Sequence, residues 1–171
     1  IAVELEVSKT PVREALRELS QEGLVQFDAY RGGTVNAVTE TDVREIISIR
    51  QALEPMAIRE AMEHMTPDIL DRAGQALERM NLGAGWHGWV EDNRAFHNLL
   101  YSPSPSRRLI AMIESLQNST VMFVSNALES HPDRLSNAEV EHRELLEAFR
   151  SGDVGRAIAI TFDHLAIPLQ G

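Results

Sequence analysis

Apolar positions fall first into short mixed clusters and then, from about residue 39, into long helical stripes. Ala2, Val3 and Leu5 supply the apolar side of an opening helix, and Val7 closes the turn after it. Val12, Ala15, Leu16 and Leu19 recur at i, i+3, i+4 and i+7, one buried stripe on a second helix. Thr10 as N-cap and Pro11 at the first helical position start that helix, and Gly23 suits the left-handed residue that ends it. Leu24, Val25 and Phe27 then read as a strand, Arg31-Gly32-Gly33 as a tight turn and Thr34-Val35 as the returning strand. Residues 1–36 are therefore expected to be helix, turn, helix and hairpin wing, truncated at the start because a further helix normally precedes this pattern.

The remainder, 39–171, predicts helices only. Thr39 and Asp42 give a capping-box-like start before Val43, Ile46, Ile47 and Ile49, and Pro55 is expected to kink or split the helix that follows. Thr66-Pro67 starts another helix, running to about Met80. A Gly-rich stretch from Gly83 to Gly88 separates it from one spanning about Trp89 to Tyr101. Ser102-Pro103-Ser104-Pro105 is a loop, and helices follow from about Arg107 to Leu128, Leu135 to Arg150 and Asp153 to Ala166. The fold class is mainly α, a winged helix-turn-helix followed by an all-α bundle of six or seven helices. Gly83, Gly85 and Gly88 match the spacing of a dinucleotide fingerprint, but they follow a helix and no βαβ unit surrounds them.

Composition narrows the chemistry. The 171 residues are 43% hydrophobic and 25% charged, enough apolar material for a real core. Cysteine is absent, so thiol catalysis and disulfides are excluded and any metal must take His, carboxylate or amide ligands. No apolar run approaches the about 18 residues that span a bilayer, and no leader opens the chain, so a cytoplasmic location without a membrane partner is expected. The net charge of -10 argues against general nucleic-acid binding. A regulator needs only a local basic face, however, and the position of its cations matters more than their sum.

Such a face exists at the start of the second helix. Arg13 and Arg17 are one turn apart and project from the same side, with Ser8, Lys9 and Thr10 at the N-terminal end. A helix N-terminus favours phosphate, and Arg can pair bidentately with guanine in the major groove. Arg31 at the wing tip suits the minor groove. The alternative is that Arg13 and Arg17 are solvated charges paired with Glu14 and Glu18. The run from Val7-Ser8-Lys9-Thr10-Pro11-Val12-Arg13-Glu14-Ala15-Leu16-Arg17-Glu18-Leu19 to Glu22-Gly23-Leu24-Val25 resembles the signature of the GntR family of bacterial regulators. That resemblance implies DNA contacts by Ser8, Lys9, Thr10, Pro11 and Arg13 on the recognition helix and by Arg31 and Gly32 at the wing.

Three histidines occupy inward helix faces. His97 follows the stripe of Val90, Asn93 and Leu100, His142 shares a face with Leu145, Leu146 and Phe149, and His164 shares one with Ala157, Ile160 and Thr161. Each alone reads as a core histidine held by a neighbour. Three imidazoles converging inside one bundle match the way bundle metal sites are built. His64, His87 and His131 read as surface residues.

This region resembles the FCD-type effector domain of the FadR-like subfamily, on Asn93-Arg94-Ala95-Phe96-His97, Glu141-His142 before Leu145-Leu146-Glu147-Ala148, Gly152-Asp153 and His164. The resemblance implies a divalent cation held by Asn93, His97, His142 and His164, with zinc first and nickel or manganese as alternatives. It also implies open positions for a carboxylate effector. Many members carry Asp where Asn93 stands, and Asp92 lies about 100° away round the helix. Arg50 resembles an effector-pocket arginine of the family; the competing reading is a surface charge near Glu45 or Glu54.

The function expected from these residues is a homodimeric regulator on a pseudo-palindromic operator, its affinity set by a small organic or sugar acid bound at or near the metal. A helical metal-dependent enzyme is the first alternative, but Glu139-Val140-Glu141-His142 supplies only one Glu-x-x-His unit and no nucleophile motif or P-loop occurs. A winged-helix module that binds protein is the second.

Overall fold

The computed structural model describes residues 2, 5–21, 25–28, 32–35, 39–81, 85–130 and 132–166. The chain divides into two compact units, Ile1–Thr39 and Glu40–Gly171.

In the first unit, Val7 donates its N–H to the Ala2 carbonyl at 3.1 Å and Glu6 has φ of 53°, a left-handed turn, while Val3 of the expected opening helix lies outside the described residues. Helix α1 is Lys9–Gln21. It begins ahead of the Thr10-Pro11 boundary expected above, which is sterically allowed because N–H groups of a first turn have no intrahelical acceptor for Pro11 to forfeit. Val12 and Leu16 are half-buried, whereas Ala15 is exposed and does not belong to the buried stripe. It lies about 60° from Val12 and 100° from Leu16 round the helix, outside the covered arc. Strands β1 (Val25–Asp28) and β2 (Gly32–Val35) pair antiparallel, from Val25 opposite Val35 to Asp28 opposite Gly32. Gly32 and Gly33 thus extend the strand ladder instead of forming the turn, and the connection is residues 29–31. Arg31 lies outside the described residues.

Among the described residues the second unit contains six helices: α2 Glu40–Glu63, α3 Pro67–Asn81, α4 Gly85–Tyr101, α5 Arg107–Ser130, α6 Pro132–Ser151 and α7 Val154–Ala166. Pro55 does not split α2, which continues through it as one element. Its neighbours Glu54, Ala57 and Ile58 are buried, and their packing outweighs the about 3 kcal/mol a mid-helix proline costs. Helix α4 starts at Gly85, inside the stretch expected to be a linker, because half-buried Trp89 packs on the core and offsets the about 1 kcal/mol cost of each helical glycine. Helix α6 starts at Pro132, three residues before the expected Leu135, with proline at the first position where its missing N–H is harmless.

Caps set the other ends. The Thr66 hydroxyl accepts from Ile69 N–H at 3.4 Å, and Asp153 Oδ1 accepts from Arg156 N–H at 2.9 Å. Gly152, at φ of 70°, ends α6 in a left-handed cap with Asp153 N–H bonded to the Ala148 carbonyl at 2.9 Å.

Helix α3 packs along α4, α2 against α7 and α5, and α6 against α7 and α3. Fully buried Ala57, Ala61, Ala73, Ala76, Ala148 and Ala157 let the helices approach closely, while Ile58, Phe96, Leu100, Ile113 and Leu145 fill the interior. Each of these larger side chains contributes about 1.5–3 kcal/mol by leaving water. Glu60 on α2 pins the loop between α4 and α5, accepting hydroxyl hydrogens from Ser104 at 2.6 Å and Ser106 at 3.0 Å. Those two bonds hold its carboxyl below the usual carboxylate range.

Candidate metal centre and effector cavity

Helices α4, α6 and α7 each deliver one imidazole to the same place in the bundle. His97 and His142 are buried and His164 is half-buried. The Nε2 atoms of His97 and His142 stand 3.2 Å apart, and one ligating nitrogen from each of the three rings falls within 4.8 Å of the others. Two nitrogens bound to one zinc at about 2.0–2.1 Å lie about 3.3 Å apart at the tetrahedral angle, so the first pair has the separation that a shared ion requires. Phe96 presses its edge on His97 and His142, with centroids 5.2 and 5.1 Å away, and forms the apolar wall behind them.

Electrostatics prepare the rings as ligands. Burial pushes the His97 imidazole well below its ordinary range, and the charges of His164 and Arg50 push the same way. His142 is lowered by burial and then by His164 and His97. Both are therefore neutral at pH 7, the state that ligates a metal. His164 Nδ1 lies 2.8 Å from Glu141 Oε2, so Nε2 is the ring nitrogen that this carboxylate does not engage.

A cavity of about 90 Å³ adjoins the cluster. Its polar lining includes Asn93, His97, His164, Arg50 and Gln117, and Val43, Ile47 and Leu165 are among its apolar residues. Asn93 Oδ1 and His97 Nδ1 are buried without hydrogen-bond partners. A buried acceptor left unanswered costs about 1–3 kcal/mol, and a cation beside Asn93 removes that penalty. The residues present fit a divalent ion of borderline softness: three imidazoles, one amide oxygen and no thiolate.

Arg50 is not the solvated surface charge of the competing reading. Its side chain is 12% exposed, lines the cavity and bonds through Nε to Glu54 Oε1 at 2.7 Å. Glu54 is itself 1% exposed and accepts the Tyr101 hydroxyl on Oε2 at 2.7 Å. Burial, then the adjacent Glu54 charge, raise the Tyr101 phenol well above its normal range, so it remains a neutral donor. Asp92 is turned away from the cluster and paired with Arg79 at 2.7 Å.

Glu54, Tyr101, Glu141 and Gln117 were not singled out from sequence. For two of them a signal was available: Gln117 and Thr120 continue the buried α5 face of Ile113 at i+4 and i+7, and Glu141 adjoins His142. His64 is exposed, with Nδ1 2.9 Å from the Glu60 carbonyl. The side chains of His87 and His131 lie outside the described residues. In the first unit Ser8, Lys9, Thr10, Pro11, Arg13 and Arg17 are all exposed, while Gly32 lies in β2.

A winged helix-turn-helix unit and a helical unit with an internal cavity of mixed polar and apolar lining define a class, the ligand-responsive transcription regulators. The chain belongs to the gntR family of bacterial regulatory proteins, matched over residues 1–35, and carries an FCD domain over residues 45–166. A probable D-xylose utilization operon transcriptional repressor of Paenarthrobacter nicotinovorans is 28% identical over 168 residues, 97% of this chain and 74% of that protein. The HTH-type transcriptional repressor RspR of Escherichia coli (strain K12) is 30% identical over 162 residues, 90% of this chain and 68% of its own length. Among solved structures, E. coli McbR/YncC aligns with a TM-score of 0.85 at 29% identity, over 99% of this chain and 84% of that one. The family and these relatives are transcription regulators and not enzymes, which removes the metalloenzyme and protein-interaction alternatives. Among the described residues no helix is long and apolar enough to cross a membrane.

Proposed function

We propose that this chain is a cytoplasmic, homodimeric FadR-subfamily regulator whose helical unit senses a small organic or sugar acid at a divalent metal site. In this reading residues 1–36 bind one half of a pseudo-palindromic operator, and residues 39–171 hold the effector and the dimer contact. Ser8, Lys9, Thr10, Pro11 and Arg13 enter the major groove, Arg17 reaches a phosphate, and Arg31 with Gly32 approaches the minor groove.

The observation that carries the sensor reading is the meeting of His97, His142 and His164 at one edge of a cavity that also contains Arg50 and the unpartnered Asn93 oxygen. The three imidazoles and the Asn93 amide are the residues that hold the ion. Zinc suits the donor set best, and nickel or manganese are the alternatives. The ion supplies a positive charge with open positions for a carboxylate. Arg50, fixed by Glu54, lines the same cavity and pairs with the same carboxylate. Effector changes operator affinity only by binding the free and DNA-bound states differently.

The test is metal content and thermal stability of the protein and of His142→Ala, each with and without chelator and a panel of acids. Wild type is expected to retain about one metal per chain and to be stabilised by at least one acid. Metal-free protein that gains nothing from added zinc, nickel or manganese would sink the reading.

A further inference from the structure

One side of α2 is left uncovered. Glu45, Ile49, Ala52, Met56, Arg59 and Glu63 are all exposed, and they follow one another at intervals of four, three, four, three and four residues. That spacing draws a single stripe along a helix, the seam by which one helix meets another. The buried residues Val43, Ile47, Ala57, Ile58 and Ala61 lie about 180° round the helix from it. The stripe therefore faces away from the core that α2 helps to build.

Its centre is apolar. Ile49 is 40% exposed and Met56 51%, with the small Ala52 between them. Single exposed apolar residues are ordinary on a protein surface, but here two large ones flank an alanine on one seam. Alanine suits a close helix crossing, at the short end of the about 8–10 Å range of interaxial distances. Opposite charges stand beyond them on either side. The Glu45 side chain joins no ion pair or hydrogen bond among the described residues, and Arg59 donates to the Pro55 carbonyl of its own helix at 3.2 Å without a carboxylate partner.

A second copy of the stripe, run antiparallel about a two-fold axis at Ala52, answers these groups. Glu45, seven positions before Ala52, meets the partner's Arg59, seven after it, and Ile49 meets the partner's Met56. A parallel pair would set Glu45 against the partner's Glu45 and Arg59 against the partner's Arg59, like charges that repel. Resting on the homodimer proposed above, we infer that α2 forms its contact, the exposed seam of one chain packing antiparallel on the same seam of a second with Ala52 at the axis. Arg50, which lines the cavity, follows Ile49 on this helix, so the cavity and the contact share one element.

The sequence has no cysteine, so an introduced thiol reports its neighbours without background. Ala52→Cys in the full chain should oxidise readily to a covalent dimer, because a disulfide needs Cα atoms about 4.4–6.8 Å apart and the axis brings the two positions together. Glu78→Cys, exposed on α3, should not. Ile49→Cys combined with Met56→Cys gives the same readout if Ala52→Cys disturbs the helix. Sedimentation velocity over a range of concentrations supplies the second arm. Glu45→Arg should raise the dimer dissociation constant about tenfold, because the two-fold turns two attractive pairs into two repulsive ones. Adding Arg59→Glu should restore it, and circular dichroism melts should show both variants folded. A wild-type dimer that Ala52→Cys fails to lock, or that locks equally fast through Glu78→Cys, overturns the inference while the homodimer stands. So does a dissociation constant that Glu45→Arg leaves unchanged or that Arg59→Glu does not bring back. Sedimentation of the wild type as a monomer removes the homodimer and the inference together, and leaves the seam to a different protein.

Discussion

Glu141 on α6 holds Nδ1 of His164 on α7 at 2.8 Å, so that the other ring nitrogen is free to ligate. The pair has the form of a carboxylate–histidine unit that orients metal ligands, and under the proposed metal reading Glu141 is a positioning residue. Glu141→Ala should lower zinc affinity about 10- to 100-fold. Competition with a chromophoric chelator measures this, and circular dichroism checks that the fold is kept. Unchanged affinity would show that His164 is oriented by packing alone.

Acid should weaken the metal-free fold before it affects ordinary carboxylates. His97 and His142 titrate well below the usual histidine range when folded, and near about 6.5 when unfolded. Between those two limits the unfolded chain binds more protons, so stability is fully present above about pH 6.5 and falls as pH drops through the window. Each imidazole contributes a slope on the order of 1 kcal/mol per pH unit there. Urea midpoints measured in chelator from pH 8 to pH 5 should fall, and His97→Gln or His142→Gln should each flatten the fall. With zinc present the same acid range releases the metal, because protons and the cation compete for the same lone pairs.

The buried carboxylate of Glu54 takes Arg50 Nε on one oxygen and the Tyr101 hydroxyl on the other. Removing a partner therefore costs more than the bond itself is worth. Tyr101→Phe should lose about 1–3 kcal/mol by leaving one acceptor unanswered. Arg50→Ala should lose about 3–5 kcal/mol, since a buried charge is left without its counter-ion. Equilibrium denaturation gives both values. If Arg50→Ala proves the milder change, Arg50 is not the partner on which the burial of Glu54 depends.

Helical periodicity made part of the site legible. His97, His142 and His164 sit on stripes of apolar residues at i, i+3 and i+4, and a ring on such a stripe is carried inward wherever the stripe packs. The structure brings all three together because α4, α6 and α7 pack around the same interior. Glu54 was legible only as a possible neighbour of Arg50 and not as buried: one of six acids on a 24-residue helix reads as solvent-facing, and its second partner Tyr101 is 47 residues away. For Gln117 the inward face was legible from its spacing to Ile113, but its place in a cavity was not, since α2, α4, α5 and α7 enclose that cavity together. Element boundaries slipped at Gly85, Pro55 and Gly32, where packing or strand pairing overrode the local preference of glycine and proline. Gly152 had no such competitor: nothing lies within 4 Å of where its Cβ would sit, and the left-handed cap follows from the residue itself.

The overall charge of -10 makes the two arginines of α1 an informative place to test DNA recognition. Residues 1–39 hold four cations, Lys9, Arg13, Arg17 and Arg31, against six acids, Glu4, Glu6, Glu14, Glu18, Glu22 and Asp28, so the unit has no surplus positive charge to spare. Each phosphate contact then carries a large share of the affinity, and each is visible in the salt dependence. Arg13 is nearer the N-terminus of α1, the end that reaches base edges, and Arg17 lies one turn farther along. Arg17→Ala should weaken binding to operator and unrelated DNA alike and reduce the slope of log affinity against log salt by about 0.9. Arg13→Ala should instead erode the difference between operator and unrelated DNA by about 1–3 kcal/mol and change the slope little. Fluorescence anisotropy at several salt concentrations separates the two outcomes. Equal effects on slope and on preference would mean that both side chains meet the backbone, and that sequence is read by other residues of α1 or by the wing.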